Sequence, residues 1–192
     1  MTTGTSGNSR KPVVTLLHVL FHAHPLNTCQ PTHITPLVHL YGGTLSEADQ
    51  KLLSIFFLFE RNRKVSARAL LGKWSGQLGS SSVGPLEAIT SLDASVVFRT
   101  CLSFPNLRSV NIKPTSGGEK LYDPTFILSL VGSCLLDHVI MSGLQWVDLF
   151  RTNVVSLVVR ALSSKNDQIR LTGKSILSGI MSAVQVRVTR GE

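Results

Sequence analysis

Apolar residues recur along this chain at spacings of three and four, and that period most constrains the fold. In 51–60, Leu52, Ile55, Phe56 and Phe59 fall on one face of a helix. Thr44 and Glu47 stand at capping-box spacing just before it, with Ser46 as an alternative cap. Asp49 adds negative charge to the first turn. The helix runs to about Glu60, with Arg61, Arg63 and Lys64 at its C-terminal end, where cations suit the dipole.

The same period appears on both sides. Pro12 opens a helix to His24 with Val13, Leu16, Leu17, Leu20 and Phe21 on one face. Pro25, Pro31 and Pro36 punctuate a loop and introduce a short helix over Leu37–Tyr41, stopped by Gly42-Gly43. Ser66–Gln77 carries Leu70, Leu71 and Trp74, and Leu86–Phe104 holds another helical pattern that ends at Phe104-Pro105. Asp123-Pro124 is an N-cap and N1 pair opening a helix with Ile127, Leu130, Val131, Cys134 and Leu135 on one face. Val154, Leu157, Val158, Ala161 and Leu162 fit the helical period. Four valines in six residues suit a buried strand as well, and helix is preferred because no hairpin turn or alternating partner lies nearby. Asn166 or Asp167 caps a last helix whose buried face holds Ile169, Gly173, Ile176, Ile180 and Ala183.

The expectation is an all-α chain of paired helices, an α-solenoid of HEAT or armadillo-like repeats. Ala161-Leu162-Ser163-Ser164 followed by 166–170 reads as the inter-helix turn of such a pair, with Arg170 bonding back across it. The expected organisation is a flexible lead over 1–11, a first repeat half over 12–105, a linker over 106–120, a second half over 121–186 and a tail over 187–192.

Composition narrows the function. The chain has 19 Lys+Arg against 11 Asp+Glu, a net charge of +8, yet only 16% charged residues, below the roughly 25% of an ordinary domain. Disorder is excluded for its bulk by the apolar content, and no apolar run approaches the ~20 residues of a membrane span. The opening residues make no convincing signal peptide. Three widely spaced cysteines (Cys29, Cys101, Cys134) and no Asn-x-Ser/Thr acceptor point to an intracellular protein with reduced thiols.

Motifs for chemistry are weak. His18 and His22 stand at i and i+4, and His24, His33, His39 and Cys29 follow, but prolines interrupt the set and a structural or surface role is expected, with no metal. Gly173-Lys174-Ser175 ends like a phosphate-binding loop, but Gln168 stands where that loop needs glycine, so Gly173 is read as a helix-packing residue. No carboxylate pair stands out. The chain is expected not to be an enzyme and to use no cofactor or small-molecule substrate.

The basic residues carry more information. Arg61, Arg63, Lys64, Arg68 and Lys73 fall within thirteen positions free of acid, and Arg61, Lys64 and Arg68 share a face if the helix continues through them. Such a patch neutralises phosphates without reading sequence; a solvated helix end is the plainer reading. Little aromatic interleaving supports base recognition.

Four signatures occur in order. The first is Tyr41-Gly42-Gly43-Thr44-Leu45-Ser46-Glu47-Ala48-Asp49, similar to Tyr-Gly-x-Thr-Leu-Ser-x-x-Asp. Leu92-Asp93 with Thr100 and Phe104-Pro105 is the second. Tyr122-Asp123-Pro124-Thr125-Phe126-Ile127-Leu128 is the third, and Ala161–Ser164 with Arg170 the fourth. This set resembles the C-terminal domain of the nucleolar pre-ribosomal-associated protein family, whose yeast members are called unhealthy-ribosome-biogenesis protein one. It spans roughly residues 12–184; the region 60–90 matches poorly, and Asn166 stands where an acid is expected. The resemblance implies a non-catalytic scaffold in the nucleus and nucleolus, acting in early assembly of the large ribosomal subunit and pre-rRNA processing. Its implied partners are nucleolar assembly factors and pre-ribosomal RNA, with no membrane. A generic helical-repeat adaptor between proteins is the alternative. The late start and the ending Val186–Glu192 point to a fragment or aberrant gene model of a much longer protein.

Overall fold

Several apolar stripes, those that follow Ser46, Asp93, Asp123, Ser142 and Asn166 among them, are preceded by a side chain that satisfies free N–H groups of a first helical turn. The computed structural model describes residues 6–71, Trp74, 85–104, 120–136 and 142–190, the side chains of 6–9, Arg68, Pro85 and 186–190 excepted. Eleven α-helices lie among the described residues: α1 Ser6–Ala23, α2 Pro25–Thr28, α3 Ile34–Leu40, α4 Glu47–Arg63, α5 Ala67–Leu71, α6 Pro85–Thr90, α7 Ala94–Ser103, α8 Pro124–Leu136, α9 Gly143–Arg151, α10 Val154–Ala161 and α11 Asp167–Arg190. A 3₁₀ turn, Pro31–His33, leads into α3. No strand occurs among them, and an isolated antiparallel bridge joins Thr44 to Tyr122. The chain is all-α.

The caps explain the boundaries. Ser46, the alternative cap, is the N-cap of α4 and accepts from the Asp49 N–H at 3.3 Å. Asp93 caps α7 through Ser95 and Val96, which splits the 86–104 pattern into two helices. Ser142 and Gln145 form a reciprocal capping box at the start of α9. Asn166 caps α11, its Oδ1 accepting from the N–H groups of Gln168 and Ile169. Asn153, in the left-handed region at φ 62°, breaks α9 from α10.

One apolar core runs through both parts of the chain, from Val14 and Phe21 through Leu52, Phe56 and Phe59 to Phe126, Leu157 and Ile180. α4 packs on α1, and α8 packs on α5, α6, α10 and α11. The predicted faces of α4, α5 and α8 are buried, apart from the half-buried Leu135. Gly173 is buried mid-helix in α11, where an added Cβ would meet the Ala161 Cβ at 3.1 Å and the Val158 carbonyl at 3.3 Å; its packing role is thereby visible. Leu162 and Ala183, by contrast, are exposed.

Several boundaries differ from expectation. Residues 6–11, expected in the flexible lead, are the first turns of α1, where Arg10 gains partners at the end of α3 and in the first turn of α4. The buried face of α1 is Val14 and Phe21 with Leu17 against them, whereas Val13, Leu16 and Leu20 stay exposed. The backbone of the expected tail is helical through Arg190, since neither glycine nor proline interrupts it before Gly191. The expected linker lies outside the described residues, Lys120 excepted.

Candidate functional site

Three of the four ordered signatures meet at one place. After α3, Tyr41 is extended and Gly43 turns the chain at φ 67°, a left-handed conformation that glycine adopts at no steric cost. The turn lays 43–45 alongside 121–123. Asp123 N–H donates to the Gly43 carbonyl at 2.7 Å, and Leu45 N–H donates to the Leu121 carbonyl at 2.9 Å.

Asp49 closes this clasp from α4. Its fully buried carboxylate accepts from the N–H groups of Gly42 and Thr44, both at 2.9 Å, from the Thr44 hydroxyl and from the Arg10 guanidinium. Arg10 also donates to the Leu40 carbonyl at 3.2 Å. A buried carboxylate persists only with such compensation.

The second signature supports the third. Tyr122 N–H donates to Thr100 Oγ1 at 3.0 Å, and Thr100 in turn donates to the Val96 carbonyl. The Tyr122 hydroxyl accepts from Asp93 N–H at 3.2 Å. The Ser95 hydroxyl and neighbouring N–H groups hold the Asp93 carboxyl below its ordinary pKa. Asp123 caps α8 by accepting from Thr125 N–H at 2.8 Å, and Pro124 fills the first helical position.

Aromatic rings fill the clasp from beneath. Phe126 meets Tyr41 and Trp74 edge-on, with centroids 5.4 and 5.1 Å away, and Trp74 Nε1 donates to the Tyr41 carbonyl at 2.7 Å. Burial pushes the Tyr41 phenol well above its ordinary pKa. The fourth signature is a separate local device: Arg170 bridges back to the Ser164 carbonyl at 2.7 Å and pairs with Asp167. The motif residues Tyr41, Gly42, Thr44, Leu45, Ser46, Asp49, Tyr122, Asp123, Pro124 and Arg170 therefore serve the architecture.

The basic residues divide. Arg61 and Lys64 are exposed and carry no ion pair among the described residues. Arg63 is committed: its Nε donates to the Cys29 carbonyl at 2.9 Å and its Nη2 to the Leu26 carbonyl at 3.0 Å, tying the end of α4 to α2. The shared face of Arg61, Lys64 and Arg68 does not form, because α4 stops at Arg63, Lys64 turns left-handed at φ 55° and α5 begins only at Ala67. The side chain of Arg68, and Lys73 altogether, lie outside the described residues.

No three His, Cys, Asp or Glu side chains converge as a metal site among the described residues. The His18 and His22 rings lie tilted at 39° with centroids 4.3 Å apart, and His33 Nδ1 lies 2.6 Å from the Thr28 carbonyl. All three cysteines are buried and outside any disulfide. No described helix is long and apolar enough to cross a membrane.

Sequence reasoning missed Arg10, hidden in a stretch of Gly, Ser and Asn, and gave Thr100 no role beyond a motif position. The first signature singles out Gly42, yet the left-handed turn falls on Gly43. The adjacent glycines were the available signal.

No family model matches the chain, and no solved structure does. It is similar to nucleolar pre-ribosomal-associated protein 1 of Mus musculus, 28% identical over 187 residues, and to that of Homo sapiens, 28% identical over 186; each match covers 83% of this chain. The chain spans about 8% of the length of these curated relatives. This similarity agrees with the resemblance that the four ordered signatures carry.

Proposed function

We propose that this chain is a non-catalytic scaffold segment of nucleolar, and hence nuclear, pre-ribosomes, acting in early assembly of the large ribosomal subunit and pre-rRNA processing. The observation that carries the reading is the similarity to nucleolar pre-ribosomal-associated protein 1 along 83% of the chain. The clasp supports it, since the residues of the resemblance hold helices together. On this reading the helix pairs stack as HEAT or armadillo-like repeats, their exposed apolar residues meeting neighbouring helices or assembly factors. Exposed cations led by Arg61 and Lys64 meet pre-ribosomal RNA.

The test is affinity purification of the tagged chain from nucleolar extract. Recovery of pre-rRNA with large-subunit assembly factors is the expected result. Recovery of cytosolic complexes without pre-rRNA would favour a generic adaptor instead.

A further inference from the structure

The surface beside α4 holds more than charge. Phe57 is 53% exposed, as Phe98 and Phe150 are to a similar degree, and Arg61 follows it by one turn on the same helix. Ser54, one turn before Phe57, lies 3.2 Å from His22 Nε2, so the exposed His22 ring of α1 borders the same strip. The His18 ring lies against that of His22 at a tilt of 39°. Desolvation, His22 and Lys51 lower the His18 pKa. Ser54 to Arg61 spans about 10 Å of helix. Lys64, exposed as the left-handed C-cap, follows at the end of α4.

We propose that this seam between α1 and α4 binds single-stranded RNA, with Phe57 and the His18–His22 pair as stacking surfaces for bases and with Arg61 and Lys64 on phosphates. The inference deepens the RNA half of the proposed function and rests on it. Rings exposed beside unpaired cations suit unstacked bases, which offer a π-face whatever their identity. Duplex RNA hides its bases and gives the rings nothing to contact. Lys11 and Lys51 are already paired with Glu47, so they add little to the strip. Glu60, exposed next to Arg61, opposes phosphate, and removing its charge tightens binding.

Fluorescence anisotropy of the 192-residue chain with labelled oligouridylate, and with duplex RNA of equal length, tests this. The single strand should bind more tightly than the duplex. Phe57→Ala should weaken it by about 5- to 100-fold with the salt dependence intact, Phe57→Trp should retain binding, and His22→Ala should weaken it further. Arg61→Ala with Lys64→Ala should lower the salt slope by about 1.4. Far-UV circular dichroism confirms that each variant folds. Wild-type affinity in Phe57→Ala, or equal affinity for duplex, overturns the stacking site; loss in the Arg61/Lys64 variant then leaves electrostatic RNA binding standing. Failure of the wild type to bind either RNA overturns both. A polyglutamate peptide binding as tightly as RNA overturns the site in favour of an acidic protein partner.

Discussion

Replacing Gly43 by alanine tests the clasp at its narrowest point. Its φ of 67° costs an L-residue about 1–2 kcal/mol. An added Cβ would sit 2.1 Å from Cε1 of Phe126. That ring is fully buried between Tyr41 and Trp74, and it cannot retreat without moving them. Overpacking of this kind costs about 1–3 kcal/mol, and the stiffer unfolded chain returns roughly 0.4–1. The net expectation is a loss of about 1–4.5 kcal/mol, or a urea midpoint lower by roughly 0.5–2 M. Tryptophan fluorescence reports it, since Trp74 touches the displaced ring. Gly42→Ala is the internal comparison: its Cβ would meet Asp49 Oδ2 at 3.0 Å, with no left-handed backbone to strain. A loss of about 1 kcal/mol is expected there. Gly43→Ala within about 0.5 kcal/mol of wild type, or Gly42→Ala the more damaging, would refute the reasoning.

Asp49→Ala strands Arg10 and two loop N–H groups, and should cost about 3–5 kcal/mol, lowering the melting temperature by roughly 6–20 °C in calorimetry; an unchanged melt contradicts the clasp. Arg63→Ala removes two bonds to carbonyls and should destabilise the chain by about 1.5–3 kcal/mol, while the salt slope of RNA binding stays at the wild-type value; a shallower slope would make Arg63 a phosphate contact. Hydrogen bonds and charge from Lys11 and Lys51 lower the Glu47 pKa from 4.5 to about 2. A depressed carboxyl stabilises the fold fully above the unfolded value, so this contribution is present above about pH 4.5 and lost as pH falls towards 2. Comparing Glu47→Gln with wild type in urea titrations should give a difference at pH 6 that vanishes near pH 2, and a difference independent of pH would remove the ion pair from the account.

The local rules reached most of the secondary structure. Ser46, Asp93, Asp123, Ser142 and Asn166 each act within one turn of their own helix, so neighbouring residues in the chain suffice to recognise them. The stripe from Leu52 to Phe59 is equally local. Boundaries set by distant partners were not legible. Arg10 orders the first turns of α1 through Leu40 and Asp49, thirty and thirty-nine positions away. The candidate RNA surface divides in the same manner: a run of basic residues is visible at once, but not that Arg63 is held by carbonyls of α2.

Sequence by itself settled that the chain is helical, that Asp123 and Asn166 stand at helix starts and which family its ordered signatures resemble, because capping and periodicity are decided among residues a few positions apart. Only the tertiary structure decided what those signatures do. Asp49, Tyr122 and Thr100 become one clasp when loops far apart in the chain come together, and the demand for glycine then falls on Gly43. The same packing buries Val14 and Phe21 of α1 while it leaves Phe57 in solvent beside Arg61. A helix offers several faces, and the neighbouring helix determines which one is covered.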